Sequence, residues 1–213
     1  ISSSVLTTLI RVSTVASNKI RARNESEFVL ELVRRTVRNS DPSDVYLFRS
    51  NEAETGFGER RYNPELETIV GTGNIEEVYK NPLDEEIVGN EIHFRPYGYR
   101  DWICLGFFRS ALEGEEERGY ILWSSAEDLR NERDGGHESC FSLLEPFSYL
   151  MILNSEYINI KDFQIKYAQS ADGNYIFTFD IISEPLNWYL SPGSPLKREV
   201  VRQATVSTEG ISW

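Results

Sequence analysis

The sequence predicts an α+β fold: a mostly antiparallel sheet with helices packed on one face, plus a C-terminal β-hairpin and an irregular tail. Three observations carry this. Apolar residues recur at three- and four-residue spacing through the first 38 positions. The pattern then switches to short runs rich in β formers, either continuous or alternating. Gly, Asn and Asp turns join several of these runs, which favours antiparallel neighbours. At 213 residues and 24.5 kDa, with 40% hydrophobic and 26% charged residues, the chain can bury one core without help from disulfides or metals.

Val5, Leu6, Leu9, Ile10, Val12, Val15, Ala16 and Ile20 predict an amphipathic helix over 3–20. A second helix is expected over 24–38: Asn24 can cap it, Glu27 stands three residues on, and Phe28, Val29, Leu32, Val33 and Val37 form its apolar face. Arg34, Arg35 and Arg38 suit its negative end, and Asn39-Ser40-Asp41-Pro42 stops it. Val45-Tyr46-Leu47-Phe48 reads as a strand, with a loop over 51–60 after it. A weaker strand covers 66–70 and ends at Gly71-Thr72-Gly73-Asn74; a short helix is expected from Ile75 to Tyr79 before Asn81-Pro82.

Residues 91–95 and 102–109 read as strands, the second so apolar that both its faces should be buried. The charged segment 113–119 is a hairpin tip leading into a strand over 120–125. Residues 126–138 are polar, and an apolar helix is expected over 139–154, begun or kinked at Pro146. Residues 163–167 and 175–179 form the last hairpin, turning at Ala171-Asp172-Gly173-Asn174. The tail, 184–213, has room for a short helix or strand at 197–206.

The chain carries 22 Lys+Arg against 34 Asp+Glu, a net −12, which repels phosphate backbones and anionic membranes; nucleic acid is an unlikely partner. The charge is unevenly placed. Residues 1–38 hold seven basic and three acidic side chains, so the opening segment is +4 and the rest −16. Such a segment can dock on an acidic surface, although a solvated helix face explains it more simply. Cys104 and Cys140 are read as two reduced, buried thiols, which places the chain in the cytoplasm. No run is long enough to insert in a membrane. The start at Ile1-Ser2-Ser3-Ser4 looks like that of an excised domain rather than a signal peptide.

Helix, helix, strand, strand, short helix, strand, strand pair, helix is an order that resembles a GAF-like sensory domain. The resemblance rests on residues 24–38 leading into 45–48, and on Ile103–Arg109, Tyr120–Ser124 and Ser139–Asn154 as the closing trio. It implies a domain over 1–158 whose first helix mediates dimers, with 159–213 as a hairpin and tail packed on the same domain. The bilin-type Cys-His pair is missing, since Cys104 precedes Leu105 and Cys140 precedes Phe141. The Asn-Lys … Phe … Asp-Glu pattern of cyclic-nucleotide binders is missing too, so no cofactor is identified.

Catalytic signatures are sparse. There is no nucleophile elbow, phosphate loop or dinucleotide fingerprint. His93 and His137 show no zinc-ligand spacing, a helix cap explains His137-Glu138-Ser139-Cys140, and no metal site is expected. A nuclease assembled from Glu65, Glu67 and Lys80 has no spacing to recommend it. The segment 93–102 stands above this background: Arg95, Tyr97, Tyr99, Arg100 and Trp102 gather around a Pro/Gly turn, a composition suited to stacking on a planar ligand and holding anionic groups. Packing of alternate aromatics on the core is the competing reading. Trp188-Tyr189 forms a second aromatic pair.

The expected function is a non-catalytic sensory or regulatory module that binds a small molecule or a protein through the sheet face and the 93–102 loop. Val5, Leu9, Val12 and Ala16 would form a homodimer interface. The alternative is a structural or recognition module of a larger assembly, for example a viral one.

Overall fold

The computed structural model describes residues 2–49, 60–71, 75–78, 87–126, 138–141, 150–169, 175–186 and 199–208. One α-helix, α1 (Ser2–Arg38), occurs among them, together with twelve strands in two sheets. The predicted class holds: helix packs on mostly antiparallel sheet.

α1 runs unbroken for 37 residues, about 55 Å of helix, where two helices were expected. Asn24 does not start a new helix. The stretch Lys19-Ile20-Arg21-Ala22-Arg23 holds strong helix formers and neither Gly nor Pro, and Ala22 is fully buried against the body. The helix stops at Arg38 as predicted, and the chain passes directly into β1 (Ser40–Arg49), longer than the expected 45–48. Pro42 sits where the pairing register shifts between Ser40 and Val45, an irregularity that tolerates a residue with no N–H.

The larger sheet contains β1, β2 (Arg61–Asn63), β3 (Thr68–Val70), β4 (Glu76–Glu77), β6 (Glu91–Pro96), β7 (Trp102–Ser110), β8 (Gly119–Ala126) and β9 (Met151–Ile152). β1, β6, β7 and β8 are antiparallel neighbours, and β2 extends the line of β6 as the parallel partner of β7 through Arg61 and Arg109. The smaller sheet orders β12 (Val200–Ser207), β11 (Tyr175–Pro185), β10 (Ile158–Gln169) and β5 (Val88–Gly89).

Two further expectations are corrected. Residues 76–77 form an edge strand on β1 instead of a helix, with Phe48 opposite Glu77. The apolar helix over 139–154 is replaced by a 3-10 turn, Glu138–Phe141, and by β9, whose Ile152 pairs with Leu122; 142–149 lie outside the described residues. The free edge of β8 offers this segment a ladder, a non-local partner that no local pattern announces. The last hairpin is present but longer than predicted, and 200–207 is a strand.

Strict alternation explains the layers. On β1, β6, β7 and β8, Val45, Leu47, Ile92, Phe94, Leu105, Phe107 and Ile121 face one way; on the small sheet Phe163, Ile165, Phe177, Phe179 and Ile181 face them. The C-terminal half of α1 closes this core with Val29, Leu30, Val33 and Val37. Phe28, expected on that face, is 59% exposed because it points to the opposite side of the helix. The opposite face of the large sheet carries a second core of Tyr62, Ile69, Trp102, Cys104, Phe108, Tyr120, Leu122, Cys140 and Phe141. β7 is therefore buried on both faces, as its apolar run predicted. The outer face of the small sheet is polar, with Gln203 on Asp180 at 2.7 Å and Lys166 on Asp180 at 3.1 Å.

The two sheets meet closely at Gly119, whose N–H donates to Asn159 Oδ1 at 2.8 Å. A Cβ there would overlap the Ile160 carbonyl oxygen and press on the Phe107 ring. Gly119→Ala is expected to destabilise the fold by about 1–3 kcal/mol, since neither a backbone carbonyl nor a core ring yields cheaply. An unchanged urea midpoint would mean that the sheets stand further apart at this corner.

Candidate functional site

The midpoint of α1 is tied to the body by named polar contacts. The Glu25 carboxylate accepts from the Ser155 N–H at 2.9 Å and hydroxyl at 2.7 Å, Ser26 and Ser183 hydroxyls meet at 3.0 Å, and Arg202 reaches Glu27 at 3.1 Å. Arg21 lies over the Tyr157 ring at 4.7 Å. N-terminal to these anchors the helix leaves the body. All residues from Ser4 to Ser13 are exposed, a projection of about 15 Å. It carries Val5, Leu6, Leu9, Ile10 and Val12, 53–61% exposed, and Ala16 is exposed just beyond it. Farther down, Ser17, Ile20, Asn24 and Phe28 line a shallow groove on the helix face turned away from the core.

The five residues expected to bind a ligand do not stay together. Arg95 donates twice to Asp44 Oδ2, from Nε at 2.9 Å and Nη2 at 2.6 Å, and its guanidinium covers the Trp102 ring at 5.0 Å. Trp102 is buried and meets Tyr46 edge-on at 5.6 Å. These two side chains are engaged in the wall of the second core. Tyr97 and Tyr99, 39% and 63% exposed, and Arg100 project from the turn, where Gly98 adopts φ 78° and the Tyr99 N–H donates to the Pro96 carbonyl at 3.0 Å. Glu65 and Glu67 are exposed in the turn between β2 and β3; Lys80, His137, Trp188 and Tyr189 lie outside the described residues.

A polar cluster that sequence reasoning did not single out lies in the second core. Alternation on β6 sends Ile92 and Phe94 to the main core and puts Glu91 and His93 side by side on the other face, both fully buried. His93 Nε2 meets Glu91 Oε1 at 2.7 Å, and the other Glu91 oxygen accepts from the Arg60 guanidinium. Arg60 also covers the Phe108 ring at 5.3 Å, and His93 packs on Phe48 at 4.6 Å. Cys104 stands opposite His93 in the ladder. The cysteines correct the reduced-thiol expectation: Cys104 and Cys140 are joined as a disulfide, with Cα atoms 6.0 Å apart, so neither is a free thiol. The link ties the first part of β7 to the 3-10 turn and seats Phe141 against Phe108 at 5.0 Å. Gly106 leaves the room for this, since a Cβ there would stand 3.2 Å from the Phe141 ring. Nearby, burial pushes the Tyr62 hydroxyl up, with Glu67 and Tyr120 adding to the shift.

The sequence held part of this signal, because period-two spacing places Glu91 and His93 on one face wherever that face points. Arg60 ends a stretch without periodicity, and nothing local links it to Glu91.

In comparison with known proteins, no family model, no curated protein and no solved structure matches the chain. The class that the fold defines is an α+β domain with a long projecting helix. No helix among the described residues is long and apolar enough to cross a membrane.

Proposed function

We propose that the chain is a non-catalytic regulatory module whose projecting helix pairs with that of a second copy. One observation carries this reading: the N-terminal part of α1 stands clear of the body with Val5, Leu6, Leu9, Ile10 and Val12 exposed. Exposed apolar residues scattered singly need no explanation, but a continuous run on one rod does. Val5, Leu9, Val12 and Ala16 follow the four-three-four spacing of a two-helix seam. In a sensory or regulatory protein such a helix couples the paired bodies. A GAF-like relationship is supported by the passage from helix to β1 and by the β7–β8 pair; the strand at 151–152, where a closing helix was expected, speaks against it.

Light scattering across a concentration series tests the pairing. Wild type is expected to be dimeric, and Leu9→Asp, at a residue that makes no core contact, to weaken association by at least about 30-fold per protomer, the scale of a buried anchor at ~2 kcal/mol. Equal masses for the two proteins would remove the role of the helix.

The exposed pair Tyr97 and Tyr99 beside Arg100 favours a second reading, recognition of a small molecule or a protein within a larger assembly. Tyr97→Ala with Tyr99→Ala tests it without disturbing Trp102. Cytoplasmic placement rested on two reduced thiols. The closed disulfide fits an oxidising compartment better, so a cytoplasmic setting requires the open state of the cysteines.

A further inference from the structure

His93 and Cys104 face each other across β6 and β7, and Cys140 reaches them from the 3-10 turn. One ring nitrogen of His93 and the two sulfurs lie within 4.8 Å of one another, and all three residues are buried. The set is two sulfurs and an imidazole, a combination selective for zinc over hard cations. Its surroundings add a second, independent feature. A metal-bound histidine usually gives its other ring nitrogen to a carboxylate, which orients the ring and raises its basicity. Glu91 already occupies that place on His93 Nε2, and Arg60 holds Glu91 in turn. With Nε2 held by Glu91, metal ligation would fall to Nδ1.

We propose that reduction of the Cys104–Cys140 disulfide opens a buried Zn²⁺ site with His93, Cys104 and Cys140 as ligands, so that the covalent staple and the metal are alternative states of one corner. The balance is simple. Two molecules of a small thiol reduce the S–S bond, leaving two cysteine thiols and the disulfide of the reductant. Zn²⁺ then displaces both thiol protons to solvent while neutral His93 donates a lone pair. Two thiolates cancel the charge of the ion, which suits a site walled by Phe48 and Phe141. On a tetrahedral zinc with Zn–S bonds near 2.3 Å the sulfurs stand about 3.8 Å apart, so the two side chains need only turn away from each other. Three protein ligands leave a fourth position for water. In either state the 3-10 turn stays tied to β7, so a change in redox conditions exchanges the tie without releasing it.

The proposal does not depend on how α1 is used. Its test is native mass spectrometry with Zn²⁺ on oxidised and reduced chain, and absorption spectroscopy with Co²⁺ as the probe. The reduced chain is expected to take up one Zn²⁺ and, with Co²⁺, to show sulfur-to-metal charge transfer and the visible bands of a tetrahedral centre. The oxidised chain takes up neither ion at this site. His93→Ala should lower the affinity of the reduced chain at least tenfold, and Glu91→Gln, acting through the ring, by about 10–100-fold. Failure of the reduced wild-type chain to bind Zn²⁺, whether it stays folded or not, overturns the proposal. Equal uptake by a Cys104→Ser, Cys140→Ser variant overturns it as well.

Discussion

Glu91→Ala is expected to destabilise the protein by about 3–5 kcal/mol, the range for removing one partner of a buried ion pair. The carboxylate is fully buried and serves two neighbours at once, accepting from the Arg60 guanidinium and meeting Nε2 of His93. Truncation takes the counter-charge from a guanidinium that is only 11% exposed and lies over an aromatic ring. The loss therefore comes mainly from taking a negative charge away from a buried guanidinium, less from the absent contact itself. A companion variant separates these contributions. Replacing both charges with apolar groups of similar volume, Arg60→Met with Glu91→Leu, should restore much of the stability, because buried pairs seldom outperform well-packed hydrophobic residues. Urea denaturation of the two variants decides the matter. A Glu91→Ala loss below about 1 kcal/mol would mean that water reaches the pair in solution. Full recovery in the double variant would mean that the two charges add no net stability, which leaves Glu91 its place as the partner that orients the His93 ring.

What was legible in the sequence was local. The strand at 102–109 announced itself by a continuous apolar run, and the hairpin of 163–167 with 175–179 by apolar alternation on either side of turn residues, all signals that lie within a few residues of each other. What failed was set by distant partners. A capping residue at Asn24 signals a helix start only where a preceding helix ends, and burial of Ala22 against the body keeps α1 continuous there. Glu76-Glu77 and Met151-Ile152 became strands because β1 and β8 presented unpaired edges to them. For the candidate sites the same distinction holds. The apolar helix and the aromatic turn were found from spacing alone, yet whether they face solvent is tertiary information: Leu9 proved exposed and Trp102 buried. The disulfide joins residues 36 apart, and the Arg60–Glu91 pair joins 31; neither separation leaves a mark on the local pattern.

Phe179→Ala should cost about 3–5 kcal/mol as well, by a different route. Its ring is fully buried on the inner face of β11, 6.4 Å from Phe163 and 6.5 Å from Phe177, where the small sheet meets the large sheet and α1. Truncation there loses both the transfer free energy of the ring and the packing around the hole it leaves, since β11 is clamped between β10 and β12 and cannot collapse inward. Against a typical total of ~5–15 kcal/mol the loss is a large fraction, and for a chain of this length it corresponds to a fall in Tm of roughly 6–20 °C. Phe28→Ala is the informative contrast. The same chemical change, on the helix face turned away from the core, should move stability by no more than about 0.5 kcal/mol. If thermal unfolding instead shows the two variants equally destabilised, then the outer face of α1 is covered in solution, and the groove lined by Ile20, Asn24 and Phe28 belongs to the interface between copies. The pair of measurements thus reads the sheet core and the helix surface with the same substitution, once on the inner face of β11 and once on the outer face of α1.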